Sequence, residues 1–375
     1  MNKLPLFLLL AAVLIVGLML TVCDSVLTSL AAQPCEKNPT ELASGITIVD
    51  SLDRSVQFDA PPQRVVVAGQ SSLTIIDTMY LFPEAKQRVV AVTSGRQKPG
   101  DFLAHVDSSF REKTLLGHDS GPEQIAPLHP DVVILRSFMA GKLGKSLEQL
   151  DIPVVYVDLE TPEQYFRDVG TLGKLLGNEA RAEEIQSFYQ ERLDRIDGTL
   201  GELSDDQKPS VLIVQYSDKG GHIAFNVPSS SWLQTAQAKL AGGFPIWTEA
   251  AQGGGWTVVN FEQIAAWGPD KIIVVSYKTD SSQVVEKLKS DAQWQVLEAV
   301  QERHIYGFPA DIFSWDQPDP RWVLGVTWLA GKMHPDHFSG LDMMEEISAF
   351  FGQMYGMDED SIQEHIVPNL KGDIQ

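Results

Sequence analysis

Two arginines stand just after strand-like apolar runs, Arg96 in TSGRQKPG behind RVVAVT and Arg136 directly behind PDVVIL. A guanidinium is a planar fork of donors that matches carboxylate, catecholate or oxyanion groups, so such a pair suits recognition of an anion. Trp256 in GGGWTVV and Trp315 in DIFSWDQPD each place an indole in a Gly- or Pro-rich loop, where so large a ring is expected to touch a ligand. Trp267, Trp294, Trp322 and Trp328 have helical or amphipathic surroundings and are expected in the core.

Other reactive groupings are weak. His334 and His337 are three apart, but Pro335 breaks the helix that would align them on a metal; His118 and His222 fall in candidate loops. GKLGKS at 141–146 resembles the end of a phosphate loop, yet the first required glycine is Met139, so the cradle of amides is not specified. GQSS lacks the G-x-S-x-G elbow, and no ordered Ser, His and Asp set accompanies it. No resident cofactor is expected.

The elements that must position these residues alternate. GITIVDSLDRSVQFDAPPQRVVVAG reads as a hairpin, a Pro-Pro break and a buried strand at 64–68. Helical segments LTIIDTMYLF, GPEQIAPL and KSLEQL then separate the apolar runs RVVAVT, PDVVILR and IPVVYVD. Such alternation predicts a parallel sheet covered by helices on both faces. From 161 to about 204 the spacing is helical throughout, with an interruption at LGNE. The alternation then restarts with KPSVLIVQYSD, and FEQIAAWGPDKIIVV repeats PEQIAPLHPDVVIL, which predicts a second lobe of the same kind. The expected class is therefore α/β, with two similar lobes of mostly parallel sheet joined by a long rigid helix. The expected divisions are 1–43, 44–160, 161–204, 205–335 and 336–375, the last an acidic helical extension that caps the fold with Phe350, Phe351, Met354 and Tyr355.

The ordered set of DSLDRSVQFDAPPQRVVV, the twice-used E-x-I-x-x-x-x-P-D strand entry, the long helix and WDQPDPRWVLGVTWLAGKMHPD resembles substrate-binding proteins of ABC importers for iron complexes, haem and cobalamin. The resemblance implies two lobes facing a shallow cleft, with ligand held by loops at the carboxyl ends of the strands, the place the rule for open α/β sheets also indicates. The first lobe then offers Ser71, Arg96, Arg136 and Phe138, and the second Tyr216, Phe225, Trp256, Tyr277, Asp311, Phe313 and Trp315. Trp256 precedes Glu262 by six residues, the spacing at which a cobalamin-binding relative places a stacking tryptophan. The arginines depart from that relative, whose first-lobe loops carry aromatics. An anionic metal complex, a ferric siderophore foremost, is expected, with cobalamin, haem, molybdate or tungstate, and a nickel complex as alternatives. Arg321, at a helix start, is expected to be structural.

The resemblance also implies that Glu123 and Glu262, equivalent in the two repeats, engage a dimeric permease, and that the binding protein itself is a monomer. A nitrogenase-like or chelatase-like enzyme shares the architecture, but would lack an export leader and would need cysteine or cofactor ligands absent here. Leu4–Val22 carries no charge and, at about 1.5 Å per residue, spans a hydrocarbon layer of roughly 30 Å, so it is read as a signal peptide or anchor. The two cysteines, Cys23 and Cys35, lie beside it, Cys23 as a candidate lipid attachment point, and none follows. The net charge of −21 excludes a nucleic-acid partner, because phosphate binding needs a basic surface. The folded part is expected outside the cytoplasm, periplasmic or tethered to the outer face of the cytoplasmic membrane.

Overall fold

The computed structural model describes residues 45–93 and 99–374, and residues 45–374 belong to one compact unit. Cys23, Cys35, Arg96 and the apolar run Leu4–Val22 lie outside the described residues. The described residues begin with an antiparallel hairpin, β1 (Ile46–Val49) and β2 (Ser55–Phe58). The first sheet comprises β3 (Val65–Val67), β4 (Val89–Thr93), β5 (Thr114–Leu116), β6 (Val132–Arg136) and β7 (Val154–Val157). Its order is β5-β4-β3-β6-β7 and every pair is parallel. β3, β6 and β7 are buried at every position, as strands covered on both faces must be, which is why they read as unbroken apolar runs.

The second sheet holds β8 (Ser210–Lys219), β9 (His222–Val227), β11 (Thr257–Val259), β12 (Lys271–Val275) and β13 (Ile305–Gly307), ordered β11-β9-β8-β12-β13. A short strand, β10 (Phe244–Pro245), pairs with β8 off this path. The pairs joining β8, β12 and β13 are parallel, while β8–β9 and β9–β11 are antiparallel. Here the sequence reading needs correction. Tyr216, His222 and Phe225, expected in loops, lie on the hairpin of β8 and β9, which turns at Gly220 and Gly221 with φ of 64° and 82°. Two consecutive positive-φ residues form the tight turn that matches strand twist, a role glycine fills without steric cost.

The repeated motif has a local cause. In each copy a residue with positive φ, His129 (48°) or Gly268 (55°), ends a helical turn ahead of Pro-Asp. The aspartate then braces the start of the neighbouring central strand. Asp131 Oδ2 accepts from the amides of Gln63 and Arg64 at 2.7 and 2.8 Å, and Asp270 Oδ2 accepts from the amide of Ser210 at 2.7 Å. Each lobe thus fixes the parallel register of its two inner strands with one carboxylate.

Helices Pro162–Leu175 and Glu179–Leu200 join the lobes. Thr161 and Asn178 cap them by accepting from the amides of Gln164 and Arg181, and Gly177 breaks between them at φ 63°. At about 1.5 Å per residue the second helix is roughly 33 Å long. Beyond helix Trp322–Met333 the extension forms helices Met343–Tyr355 and Glu359–His365. Phe350 and Phe351 are wholly buried in the main core, which contributes roughly 1.5–3 kcal/mol for each ring. The chain end returns to the second lobe, where Lys371 and Ala310 exchange backbone hydrogen bonds and Asp373 accepts from Trp328 Nε1 and the Gly307 amide.

Candidate ligand-binding cleft

At the carboxyl ends of β3 and β6 the chain leaves the first sheet through two tight turns. After β3, Gly69 and Ser71 both take positive φ, and Ser71 begins helix Ser72–Met79. β6 ends at Arg136, only 1% exposed. Its guanidinium donates through Nη1 to Thr74 Oγ1 at 2.9 Å and through Nη2 to the Glu160 carboxylate. Its Nε has no partner among the described residues. Burial pulls the Arg136 pKa down to about 10 against the pull of Asp158 and Asp168, so the group stays charged at neutral pH.

Ser71, Thr74, Arg136 and Glu160 line one side of a cavity of about 350 Å³ whose other side comes from the second lobe: Trp232, Gln234, Tyr277 and Gln317. Trp256 stands behind that wall, its ring centroid 5.5 Å from Trp232 and 6.4 Å from Tyr277, edge-on to both. Tyr277 is 38% exposed as a residue, while its hydroxyl donates to Asp316 Oδ2 at 2.7 Å. Gln234 Nε2 donates to the same oxygen at 3.1 Å. Burial raises the Asp316 carboxyl, and burial together with Asp316 holds the Tyr277 hydroxyl well above its usual value. One buried carboxyl therefore orients both polar groups of the second wall.

Of the residues expected to bind, Ser71, Arg136 and Tyr277 line this cavity and Trp256 backs it. Others are elsewhere. Tyr216 and Phe225 are cross-strand partners on the hairpin; Phe225 packs on Trp294, and the Tyr216 hydroxyl accepts from Lys287 Nζ at 2.7 Å. Asp311, Phe313 and Trp315 are at most 3% exposed and belong to the core. Asp311 accepts from Arg321 Nε and Trp315 Nε1, and Phe313 lies beneath the Arg321 guanidinium, so these three serve a buried ion network. Phe138 is 57% exposed on the turn after β6 and does not line the cavity. His118 and His222 are exposed and absent from the lining, and His334 bonds through Nε2 to the Gly242 carbonyl. No cluster of three potential metal ligands occurs among the described residues.

Thr74, Glu160, Trp232, Gln234 and Gln317 were missed by sequence reasoning. Trp232 carried a signal, a large ring in SSSW at the start of a helix; the others are polar residues common on any surface. A larger groove of about 650 Å³ lies between helix Trp322–Met333 and the extension, but it takes no residue from the first lobe.

The periplasmic binding protein model matches residues 76–312. The molybdate-binding protein MolA of Haemophilus influenzae is 22% identical over 333 residues, covering 82% of this chain and 90% of the relative. Its molybdate-bound structure has a TM-score of 0.64 at 19% identity, covering 83% of this chain and 98% of that one. A periplasmic solute-binding protein from Veillonella parvula gives 0.69 at 20% identity over 85% and 96% of the two chains. Helicobacter pylori CeuE in a nickel–histidine complex gives 0.63 at 15% identity over 86% and 99%. At these identities the solved structures share the fold, and the matched family model covers more than half of the chain. Among the described residues no helix is long and apolar enough to cross a membrane. The chain belongs to the periplasmic binding protein family, the extracytoplasmic solute-capturing subunits of ABC transporters, which are not enzymes.

Proposed function

We propose that this protein captures an anionic metal chelate, a ferric siderophore foremost, between its lobes and delivers it to a dimeric ABC permease. The observation that carries the reading is Arg136, a buried guanidinium at the cavity wall with one nitrogen unpaired. A buried donor without an acceptor is costly, and an incoming anion would supply one to Nε. The opposite wall of Trp232, Tyr277 and, behind them, Trp256 offers ring faces and edges to an organic chelate. The cavity lies at the small end of the range that encloses drug-sized ligands, about 300–1,000 Å³. Molybdate is the second reading, favoured by the relative named for binding it; a bare oxyanion would use Arg136, Thr74 and Ser71 and leave the rings idle. The uncharged run Leu4–Val22 supports export with either cleavage or retention as a tether to the outer face of the membrane.

Arg136→Ala is expected to weaken anion binding by about 1.5–3 kcal/mol, the range for a lost charge-assisted hydrogen bond, or about tenfold to 150-fold. Tryptophan quenching by a ferric siderophore panel, haem, cobalamin, molybdate and a nickel complex tests this, since Trp232 and Trp256 report on the wall. Unchanged affinity for the best ligand would remove Arg136 from the site and the reading with it. A panel bound only as molybdate selects the second reading.

The two joining helices pack on each other and span the lobes without an extended crossover, so closure on ligand is expected to be small. Small-angle scattering should show a radius of gyration that changes by less than a few per cent when ligand is added. A clear contraction would mean that the helices bend.

A further inference from the structure

We propose that Glu160 is a resident counter-anion: it holds Arg136 while no ligand is bound, an incoming anion must displace it, and it thereby sets which anions the cleft accepts. This inference rests on the anion-binding reading above and adds a residue that works against binding.

Three observations support it. Glu160 and Arg136 line the same side of the cavity and are ion-paired to each other. Their environments differ, because the Arg136 side chain is 2% exposed and that of Glu160 is 47% exposed. The arginine is held in place while the glutamate has solvent to swing into, so exchange of partners needs movement on one side only. Finally, the segment carrying Glu160 is built to aim it. Leu159, a bulky residue, is in the left-handed region at φ 58°, a conformation that costs energy and persists only where its surroundings impose it. The imposing group is Asp168, buried in helix Pro162–Leu175, whose Oδ2 accepts from the amides of Asp158 and Leu159 at 2.7 and 2.9 Å. The next amide, that of Glu160, donates to Gln164 Oε1 at 3.0 Å. Three consecutive amides are thus tied to one helix, and the side chain beyond them meets the arginine.

The consequence is selection by charge. An anion gains the full attraction of Arg136 only after breaking the resident pair, so a singly charged or diffuse anion trades one carboxylate for another with little gain. A chelate of higher negative charge, or one with several converging oxygens, outcompetes Glu160. Asp158 and Asp168 add negative charge near the arginine, so removing Glu160 does not leave Arg136 without electrostatic support.

The test compares wild type, Glu160→Gln, Arg136→Ala and the double variant, each titrated with a ferric tris-catecholate, with sodium molybdate and with cyanocobalamin at low and high salt. Close charge pairs at interfaces have coupling energies that make a change of about tenfold or more the expected scale. Glu160→Gln should therefore bind the anionic probes about tenfold more tightly at low salt, with a smaller gain at high salt and no gain for cyanocobalamin. In the Arg136→Ala background the same change should have no such effect. Ligand-free Glu160→Gln should melt below wild type, and its melting temperature should rise more on adding the anion. Wild-type anion binding that is lost in Arg136→Ala but not improved in Glu160→Gln would overturn this inference and leave the proposed function standing. A gain that persists without Arg136 would also overturn it, because Glu160 would then act by general repulsion. Failure of wild type to bind any anionic probe would overturn both.

Discussion

Replacing Glu123 and Glu262 together with alanine is expected to abolish ligand-dependent uptake by a reconstituted importer while ligand affinity stays unchanged. Both residues are exposed, Glu123 in the first turn of Pro122–Ile125 and Glu262 in the first turn of Phe261–Trp267. A carboxylate at a helix start contributes only about 0.3–1 kcal/mol through the helix dipole, and less in a single four-residue turn, so local stability explains little of Glu123. Each glutamate also follows one of the two edge strands of its sheet, β5 or β11, and these two strands each present one exposed aliphatic, Leu115 at 64% and Val258 at 69%. The two lobes therefore offer matched acidic and apolar features, suited to the two equivalent surfaces of a dimeric permease. Uptake of radiolabelled ligand and ATP hydrolysis in proteoliposomes are the measurements, with ligand titration and thermal melting as controls. Normal transport by the double variant, or loss of ligand binding, would show that the pair is not a docking device. The single variants should each retain part of the activity, since one lobe can still engage.

Much of this arrangement is legible in the amino-acid sequence. Parallel strands buried on both faces announce themselves as apolar runs, and Pro-Asp ahead of β6 and β12 marked equivalent strands because the same carboxylate brace is used in both lobes. Arg136 could be assigned to the cleft from its position at the end of a buried strand. The second wall was harder to read. A Pro-rich, polar stretch such as PADIFSWDQPD has the composition of a surface loop, yet it folds under helix Trp322–Met333 because Arg321 draws its aspartates inward. The β8–β9 hairpin reads as a loop because its tip, Asp218–His222, is polar, and the other neighbour of β9, β11, is distant in sequence. Glu160, Gln234 and Gln317 carry no signal of their own type; they become cleft residues only through the way two lobes are set against each other.

The largest stability effect is expected at Arg321. It is wholly buried, donates through Nε to both oxygens of Asp311 at 2.8 Å and through Nη1 to Asp77, and its backbone amide donates to Asp319 Oδ1 at 2.8 Å at the helix start. Asp77 also accepts from the Tyr355 hydroxyl at 2.8 Å, so one ion network joins the first lobe, the second lobe and the extension. Burial opposes the guanidinium charge, but Asp311, Asp77, Tyr355 and Asp319 outweigh it and hold the Arg321 pKa well above its usual value. Burial pushes Asp77 and Asp319 upward in turn. Arg321→Met keeps much of the volume between Phe102 and Phe313 but removes the cation that pairs with Asp77 and Asp311. Breaking a buried pair by deleting one partner typically costs about 3–5 kcal/mol, because the remaining charge is left uncompensated. The sign of the pH dependence follows from the carboxyls. With their folded pKa values raised above the ordinary 3.8, the folded state binds protons that the unfolded state releases, so their contribution to stability is present at low pH and is lost as pH rises through the folded values. Without Arg321 that rise must grow. Denaturant melts should therefore show a deficit of about 3–5 kcal/mol for Arg321→Met near neutral pH and a smaller deficit near pH 4.5. An equal deficit at both pH values would mean that lost packing, not stranded carboxylates, sets the cost.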